Sequence, residues 1–597
     1  MQKKYLYPLA FAVLLSAGPG TRAAERLRGE PSAFLRAYLD SPVDWMPWGD
    51  PAITRAKAEQ RPVFLFIGSF TSELAGAMRR QTFANAKNAE WLNRHFVCVI
   101  VDRDEHPDVA ALYQAYVSNL KQLNGWPLNV WLTPDFEPFE GATYLSPSED
   151  WGAPGFLKLA NQANTAWETN PASCRRRAAE SAAQLAPPKP AAPPEWNLEK
   201  TRSRLGAAAA AWMATLDATQ PGFGDLPKSP EPELIRFLLT QPGADHEAAL
   251  RTLRALGASA VRDPLDGGFF RHASDAAWNI PYQQKTLSDQ ARISLAFLDG
   301  AQGADAKPFG QCVRGALDFA LLRMALPDGT FASSVDATGD EFTGYYAWTE
   351  AEIDGVLGAD SKAFKLAHGV LPGGNVASGD DPSAVFAQKN LLRSLGESDA
   401  REASAAARLL AARDRRPPPP RNDRATAGEH GLILSALSRA GSQLSDPTYI
   451  VAARRTLGAV RENFISKRDG SLLRLEGSQL PADAQDYAAL ALGCRDFARA
   501  ANDPEAAALS SRLLAQLDAR FFDAANSIFL GAPAPPGPGF FIRPNAADDP
   551  PSAESLSVPA GDAHGRSVAA ALSESFEEGS VQAPGDELLA LSLYMHY

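Results

Sequence analysis

The sequence predicts a multidomain chain, an α/β domain followed by an all-α one, and three observations carry that prediction. Near the N-terminus the apolar run Pro62-Val-Phe-Leu-Phe-Ile67 ends at Gly68 and passes into a helical pattern, the signature of a strand leading into a helix. Beyond residue 199, apolar residues recur at i, i+3, i+4 and i+7 in segment after segment, as in helices with one buried face. Between the two regions, Leu185-Ala-Pro-Pro-Lys-Pro-Ala-Ala-Pro-Pro194 is low in complexity and suited to an extended connector.

Composition narrows the function classes. With 597 residues, 45% of them hydrophobic, the chain can build more than one core. A formal charge of -12 argues against a nucleic-acid surface, which needs clustered Lys and Arg to displace counterions. The short run Arg175-Arg176-Arg177 reads as a solvated helix end. Lys3 and Lys4, the apolar run Leu6 to Ala17, the breaker Gly18-Pro19-Gly20 and the small residues around Thr21-Arg22-Ala23 form the pattern of a signal peptide over residues 1–23. The expected location is therefore periplasmic or secreted. The apolar run is shorter than the roughly 17 to 20 residues of a spanning helix, and no stable membrane insertion is expected.

The four cysteines, Cys98, Cys174, Cys312 and Cys494, read as buried thiols, with a single disulfide left open. No pair is spaced for metal or redox work. No His-Glu-x-x-His motif is present, so neither a metal nor a cofactor is expected.

The turn after the first strand, Gly68-Ser-Phe-Thr-Ser-Glu-Leu-Ala-Gly-Ala-Met78, and the later strand signal Gly125-Trp-Pro-Leu-Asn-Val-Trp-Leu-Thr-Pro134 have the layout of a thioredoxin-like domain. In that fold the helix N-terminus stabilises an attacking thiolate. From about Glu25 to Trp167 the chain resembles the thioredoxin domain of the spermatogenesis-associated protein 20-like family. The matching residues are Ser41-Pro-Val-Asp-Trp45-x-Pro-Trp48-Gly49, Val101-Asp-Arg-Asp-Glu105-x-Pro107-Asp108, Gly125-Trp-Pro-Leu-Asn-Val130 with Leu132-Thr-Pro134, and Gly141-x-Thr143-Tyr144. The family usually carries Cys-His-Trp-Cys-His in the turn. Aligned on Gly68, Thr71, Met78 and Phe83, those cysteines fall on Ser72 and Ala75 and the histidines on Glu73 and Gly76. A hydroxyl forms no mixed disulfide, so the expectation is a redox-inactive domain. The resemblance also implies a cis peptide at Trp126-Pro127, beside a groove able to hold extended backbone.

The expected layout is a thioredoxin-like domain over 25–170, a Pro/Ala-rich linker over 171–198 and a helical domain over 199–597. Val313, Ala316, Leu317, Ala320, Leu321 and Met324 form one apolar stripe. Ile450, Ala453, Leu457, Val460 and Phe464 form another, as do Tyr487, Leu490, Ala491, Cys494 and Phe497, and Leu509, Leu513, Leu517 and Phe521. A short element recurs between helices: Pro221-Gly-Phe-Gly224, Asp266-Gly-Gly-Phe-Phe270, Asp328-Gly-Thr-Phe331 and Asp469-Gly-Ser-Leu472. Repeated hairpins of this kind are similar to the (α/α)6 toroid of six-hairpin glycosidases and sugar 2-epimerases, which is also the second domain of the family. Matching segments include Gly222-Phe-Gly-x-x-Pro-Lys228, Gly267-Gly-Phe-x-Arg271, Ser333-x-x-Asp336-Ala337, Gly344-x-Tyr-x-Trp348-Thr349 and Asp486-Tyr-Ala488.

Such a toroid has a central cleft, and glycoside hydrolysis there requires two carboxyl groups. Asp289, Asp336 and Asp486 are the candidates, each with the alternative of a helix cap or turn stabiliser. An epimerase needs two bases, for which His272 and His430 are available. Where the family has Pro-His-Phe-Glu-Lys-Met-Leu-Tyr-Asp, this chain has Pro281-Tyr-Gln-Gln-Lys-Thr-Leu-Ser-Asp289, and Gln284 cannot shuttle a proton. Asn422-Asp423-Arg424 and Glu429-His430-Gly431 likewise depart from the family's Asp-Asp-Lys and Trp-Asn-Gly. Candidate ligand contacts are Trp126, Pro127, Phe269, Tyr282, Gln284, Phe331, Tyr345, Tyr346 and Trp348. The expected function is non-catalytic binding of a glycan or protein in the cleft. The rival is a sugar-active enzyme using Asp289, Asp336 or His272, and thiol-disulfide exchange is the third reading.

Overall fold

The computed structural model describes residues 19–148, 155–185, 197–224, 226–337, 344–381, 384–395, 399–524, 528–530 and 588–589. The chain divides into two units, residues 1–103 with 113–185, and residues 104–112 with 186–597.

In the first unit a five-stranded sheet has the order β1-β3-β2-β4-β5, with β1 Met46–Pro47, β2 Val63–Gly68, β3 Val97–Asp102, β4 Leu128–Leu132 and β5 Pro138–Ala142. β1 and β2 run parallel to β3, while β4 runs antiparallel to both β2 and β5. β2 and β3 are buried along their whole length, as their unbroken apolar sequences require. Alternate residues of β2, Phe64 and Phe66, enter an aromatic core with Trp45, Phe83, Trp131 and Phe156, with ring centroids 4.9 Å apart for Phe66–Phe83 and 5.4 Å for Phe64–Trp131.

Residues 1–18 of the leader-like segment lie outside the described residues. The remainder joins helix α1, Pro19–Arg28, whose Ala23 and Leu27 are buried. Helix α2, Glu73–Met78, follows the turn after β2. The expected linker over 171–198 needs correction at its start. Residues Pro171–Leu185 form helix α3, which packs on β5 and buries Cys174 and Ala178. Its only proline occupies the first helical turn, where the missing N–H is harmless, and its alanines favour helix. Residues 186–196 of that linker lie outside the described residues.

The second unit is built from helical hairpins: α4 Pro232–Thr240 with α5 Ala244–Ala258, α6 Leu287–Gly300 with α7 Ala306–Phe319, then α10 Ala427–Gln443 with α11 Pro447–Asn463, and α12 Ala484–Ala501 with α13 Pro504–Phe521. The first helices of these hairpins pack in file, α4 on α6, α6 on α10 and α10 on α12, which gives an α/α toroid with an inner and an outer layer. Between the second and third hairpins, α8 Glu350–Leu357 packs on α9 Ala400–Arg413. Of residues 531–597 only Leu588 and Leu589 are described, both buried in this core.

Burial distinguishes the layers. α12 buries almost every residue from Ala484 to Phe497, whereas α13 buries one stripe, Ala506, Leu509, Ser510, Leu513, Leu517 and Phe521. Glycine permits the closest inner contact. A Cβ on Gly431 of α10 would lie 2.4 Å from Ala489 backbone atoms of α12, and one on Gly493 would lie 2.3 Å from Gly431 O. After each outer helix α5, α7 and α11 the chain makes the recurring turn and closes a single antiparallel bridge, Arg262 with Phe269, Ala325 with Phe331 and Ile465 with Leu472. In the latter two turns Asp328 and Asp469 accept from the backbone N–H two residues on, at 3.0 and 3.1 Å.

A three-stranded antiparallel sheet in this unit consists of β6 Gln284–Thr286, β7 Ser334–Asp336 and β8 Arg421–Asn422, with Gln284 opposite Asp336. Lys285, at the centre of β6, is fully buried. Its Nζ donates to Asp263 Oδ2 and Asp266 Oδ1, both at 3.0 Å, and to Gly267 O at 2.9 Å. It also lies over the rings of Phe270, Phe319 and Tyr346 at 4.3 to 4.9 Å. Arg413, from the end of α9, donates through Nη1 to Asp263 at 2.8 Å and sets Nη2 2.6 Å from Asp266 Oδ2. Burial alone would raise the Asp263 carboxyl, but Arg413 and Lys285 outweigh it and hold the group below the usual carboxylate range. Burial and the neighbouring Asp263 charge raise Asp266. Two cations and two carboxylates thus share one buried site.

Removing one partner strands the remaining charges. Arg413→Met is expected to destabilise the second unit by about 3 to 5 kcal/mol in urea denaturation. Arg408→Met, which removes an exposed pair with Asp360, should cost less than about 1 kcal/mol.

Candidate functional site

In the first unit, the positions aligned with a redox pair carry no sulfur. Ser72 is the N-cap of α2, its Oγ accepting from Ala75 N at 3.2 Å. Ala75 is fully buried, and its carbonyl accepts from Tyr38 Oη at 3.3 Å. The Trp126–Pro127 peptide is cis, and the Arg103 guanidinium lies 4.7 Å from the centroid of the Trp126 ring. The four cysteines lie elsewhere, on β3, α3, α7 and α12, as free buried thiols. Burial pushes the Cys98 and Cys312 thiols up, and Cys494 up to about 12, so thiolate is scarce at neutral pH.

In the second unit the turn after α5 and the approach to β6 form an antiparallel pair. Arg271 N donates to Gln284 O at 3.0 Å, and Tyr282 N to His272 O at 2.8 Å. Ala337 N donates to Gln283 O at 2.9 Å, and β7 then pairs with β6. This pairing gathers five side chains. Arg271 Nη1 donates to Gln284 Oε1 at 3.1 Å, and Gln284 Nε2 donates to Asp336 Oδ2 at 3.3 Å. A buried amide therefore joins a guanidinium to a carboxylate. Beside this row the rings of His272 and Tyr282 stack with centroids 4.6 Å apart and planes 14° apart. Gln284 is fully buried, while Arg271, His272, Tyr282 and Asp336 are half-buried. The amide of Gln283 and the hydroxyl of Ser334 are buried with no hydrogen-bond partner.

Asp289 is engaged in a cap. Thr286 Oγ1 donates to its Oδ2 at 2.7 Å and accepts from its N at 3.0 Å, fixing the first turn of α6. Burial and the Arg271 charge hold the His272 imidazole down, to about 4, against the opposing effect of Asp289. It is neutral at pH 7, so Arg271 supplies the positive charge here.

Other expected site residues lie apart from this row and serve the fold. Asp486 is buried at the start of α12, accepting from Gly428 N at 2.8 Å and Arg474 Nη1 at 2.7 Å. His430 is fully buried, with Nδ1 on Thr426 O at 2.7 Å and Nε2 accepting from Phe331 N at 3.1 Å. Phe269, Phe331 and Trp348, expected to line a cleft, are each at most 2% exposed. Phe269 stacks on Phe297, Phe331 packs against His430, and Trp348 lies beneath Arg416, 4.1 Å from its ring centroid. Tyr346 faces the Lys285 charge cluster, and half-buried Tyr345 lies under Arg413. These aromatics are core because the Gly-Phe and Tyr-Ala-Trp segments turn inward from the bridges and outer helices. Arg271 is the site residue that the candidate set omits. Its signal was adjacency to His272 within the Gly-Gly-Phe-Phe-Arg segment.

Among the described residues, no group of three or more His, Cys, Asp or Glu side chains could hold a metal ion, and no helix is long and apolar enough to cross a membrane.

Because the folded His272 pKa lies below the unfolded value of about 6.5, its stabilising share is complete above that pH and is lost as pH falls towards 4. The thermal midpoint of His272→Gln should therefore fall less than that of wild type between pH 6.5 and 4. Titration of the native protein with an aromatic disulfide reagent should find almost no reactive thiol, and all four after denaturation.

Residues 24–186 match the family model Thioredox_DsbH, described as a protein of unknown function, DUF255. Human spermatogenesis-associated protein 20 is 28% identical over 591 residues, covering 90% of this chain and 75% of the relative. The Mus musculus protein is 27% identical with the same coverage. An uncharacterised protein of Caenorhabditis elegans is 29% identical over 395 residues, covering 62% of this chain and 54% of that protein. Among solved structures, cellobiose 2-epimerase from Bacillus thermoamylovorans aligns with TM-score 0.41 and 9% identity, covering 67% of this chain and 99% of that one. A D-mannose isomerase aligns with TM-score 0.39 and 9% identity, covering 65% of this chain and 88% of that one. With its thioredoxin-like domain and helical second unit, the chain is similar to spermatogenesis-associated protein 20 over 90% of its length, and it differs from that family's usual pattern in a turn that lacks both cysteines.

Proposed function

We propose that the protein is a redox-inactive binding module that holds a glycan at the Arg271–Gln284–Asp336 row, with the His272–Tyr282 stack as its aromatic platform. The observation that carries the reading is the amide at the centre of the row. Gln284 satisfies Arg271 and Asp336 together and has no proton to exchange at neutral pH. A glycosidase needs a protonated acid and an ionised partner, and an epimerase needs two bases near neutrality. Here Asp289 is committed to the α6 cap, and the low pKa of His272 makes it a weak base. Guanidinium donors, carboxylate acceptors and a flat ring face are the groups that recognise sugar hydroxyls and the apolar face of a pyranose. The proposal includes export, which rests on the leader-like pattern of residues 1–23.

Calorimetry against an oligosaccharide panel, with product analysis of the same mixtures, tests this reading. Saturable binding without new products is expected, with Asp336→Asn weakening affinity about tenfold through loss of a charged hydrogen-bond acceptor. Turnover that disappears in Asp336→Asn would overturn the non-catalytic reading in favour of a sugar-active enzyme.

A further inference from the structure

The charge balance of the row selects among glycans. Buried Arg236 and half-buried Arg292 and Arg439 each meet a carboxylate, at Asp299, Glu233 and Asp299 respectively. Arg271 meets a neutral amide, and among the described residues no carboxylate lies within ion-pair distance of it. Its Nη1 bond to Gln284 Oε1 leaves the other guanidinium donors to a ligand. Asp336 lies at the opposite end of the row, beyond the Gln284 side chain that donates to it. The site is therefore bipolar, with an uncompensated cation at one end, an acceptor at the other, and stacked rings alongside. The planar fork of arginine matches a planar carboxylate. A dianionic phosphate would meet more repulsion from Asp336 than a singly charged carboxylate does.

Resting on the glycan-binding reading, we propose that the ligand is an acidic sugar of the uronate class, its carboxylate paired with Arg271 and its ring hydroxyls directed to Asp336. His272 is uncharged at neutral pH and adds nothing to the attraction, so the preference for an anion depends on Arg271.

The test is calorimetric titration of the full-length protein at pH 7 with D-galacturonate and D-glucuronate, their methyl esters, and galactose 1-phosphate. The esters keep the shape and hydroxyls of the acids but remove the charge. Wild type should bind at least one free acid at least tenfold more tightly than its ester, and more tightly than the phosphate. Arg271→Gln should erase that preference, weakening acid binding at least tenfold more than it weakens ester binding. Gln284→Glu, which supplies the missing counter-charge, should weaken acid binding in the same direction, and circular dichroism confirms that both variants are folded. Equal binding of acid and ester by wild type overturns the uronate proposal while leaving the glycan reading intact. A preference that survives both substitutions, or tighter binding of the phosphate, also overturns it. No binding of any sugar, here or across the oligosaccharide panel, removes the glycan reading and this inference together.

Discussion

The second unit depends on compensating two cations and two carboxylates that have all left water. Lys285 comes from β6, Asp263 and Asp266 from the turn after α5, and Arg413 from the end of α9, so one charge cluster ties three separate stretches of chain. Desolvating such charges costs several kcal/mol per ion, and only complete pairing returns that energy. Each of the four is accordingly within 3.0 Å of an opposite charge, and three aromatic rings cover the ammonium. Fixing Lys285 fixes β6. Because successive strand residues point to opposite faces, Gln284 and Thr286 are then directed away from the cluster, one to the Arg271–Asp336 row and the other to the α6 cap.

The same geometry constrains two groups near the row. Groups that could move a proton are occupied or mistuned, Asp289 by its cap and His272 by burial beside a guanidinium. In the first unit a hydroxyl serves as a helix cap where a thiolate would be stabilised.

Local patterns were legible in the sequence. The apolar run before Gly68, the Gly-Trp-Pro strand entry and the Asp-Gly turns each specify structure over a few residues, and each appears as expected. Asp336 and His272 were identifiable because they follow those turns closely, and Tyr282 and Gln284 because they depart from the family's Pro-His-Phe-Glu segment. Layer position was not legible. The stripe through Tyr487 and Phe497 specifies one buried face, yet α12 is buried almost all round because it lies in the inner layer. For the same reason Phe269, Phe331 and Trp348 read as ligand contacts and proved to be core. Arg413 stands 150 residues from Asp263, and no periodicity connects them. Nor did composition separate helix α3 from the proline-rich residues after it, since alanine suits both a helix and a low-complexity connector.

A crystal structure of the protein grown with a galacturonate oligosaccharide would test the central claim most directly, that the amide-bridged row binds a sugar without acting on it. The account predicts an intact saccharide on Tyr282, with hydroxyls at Asp336 and the Gln284 hydrogen bonds unchanged. A ligand seated elsewhere in the unit, or one cleaved or epimerised at Asp336, would contradict it.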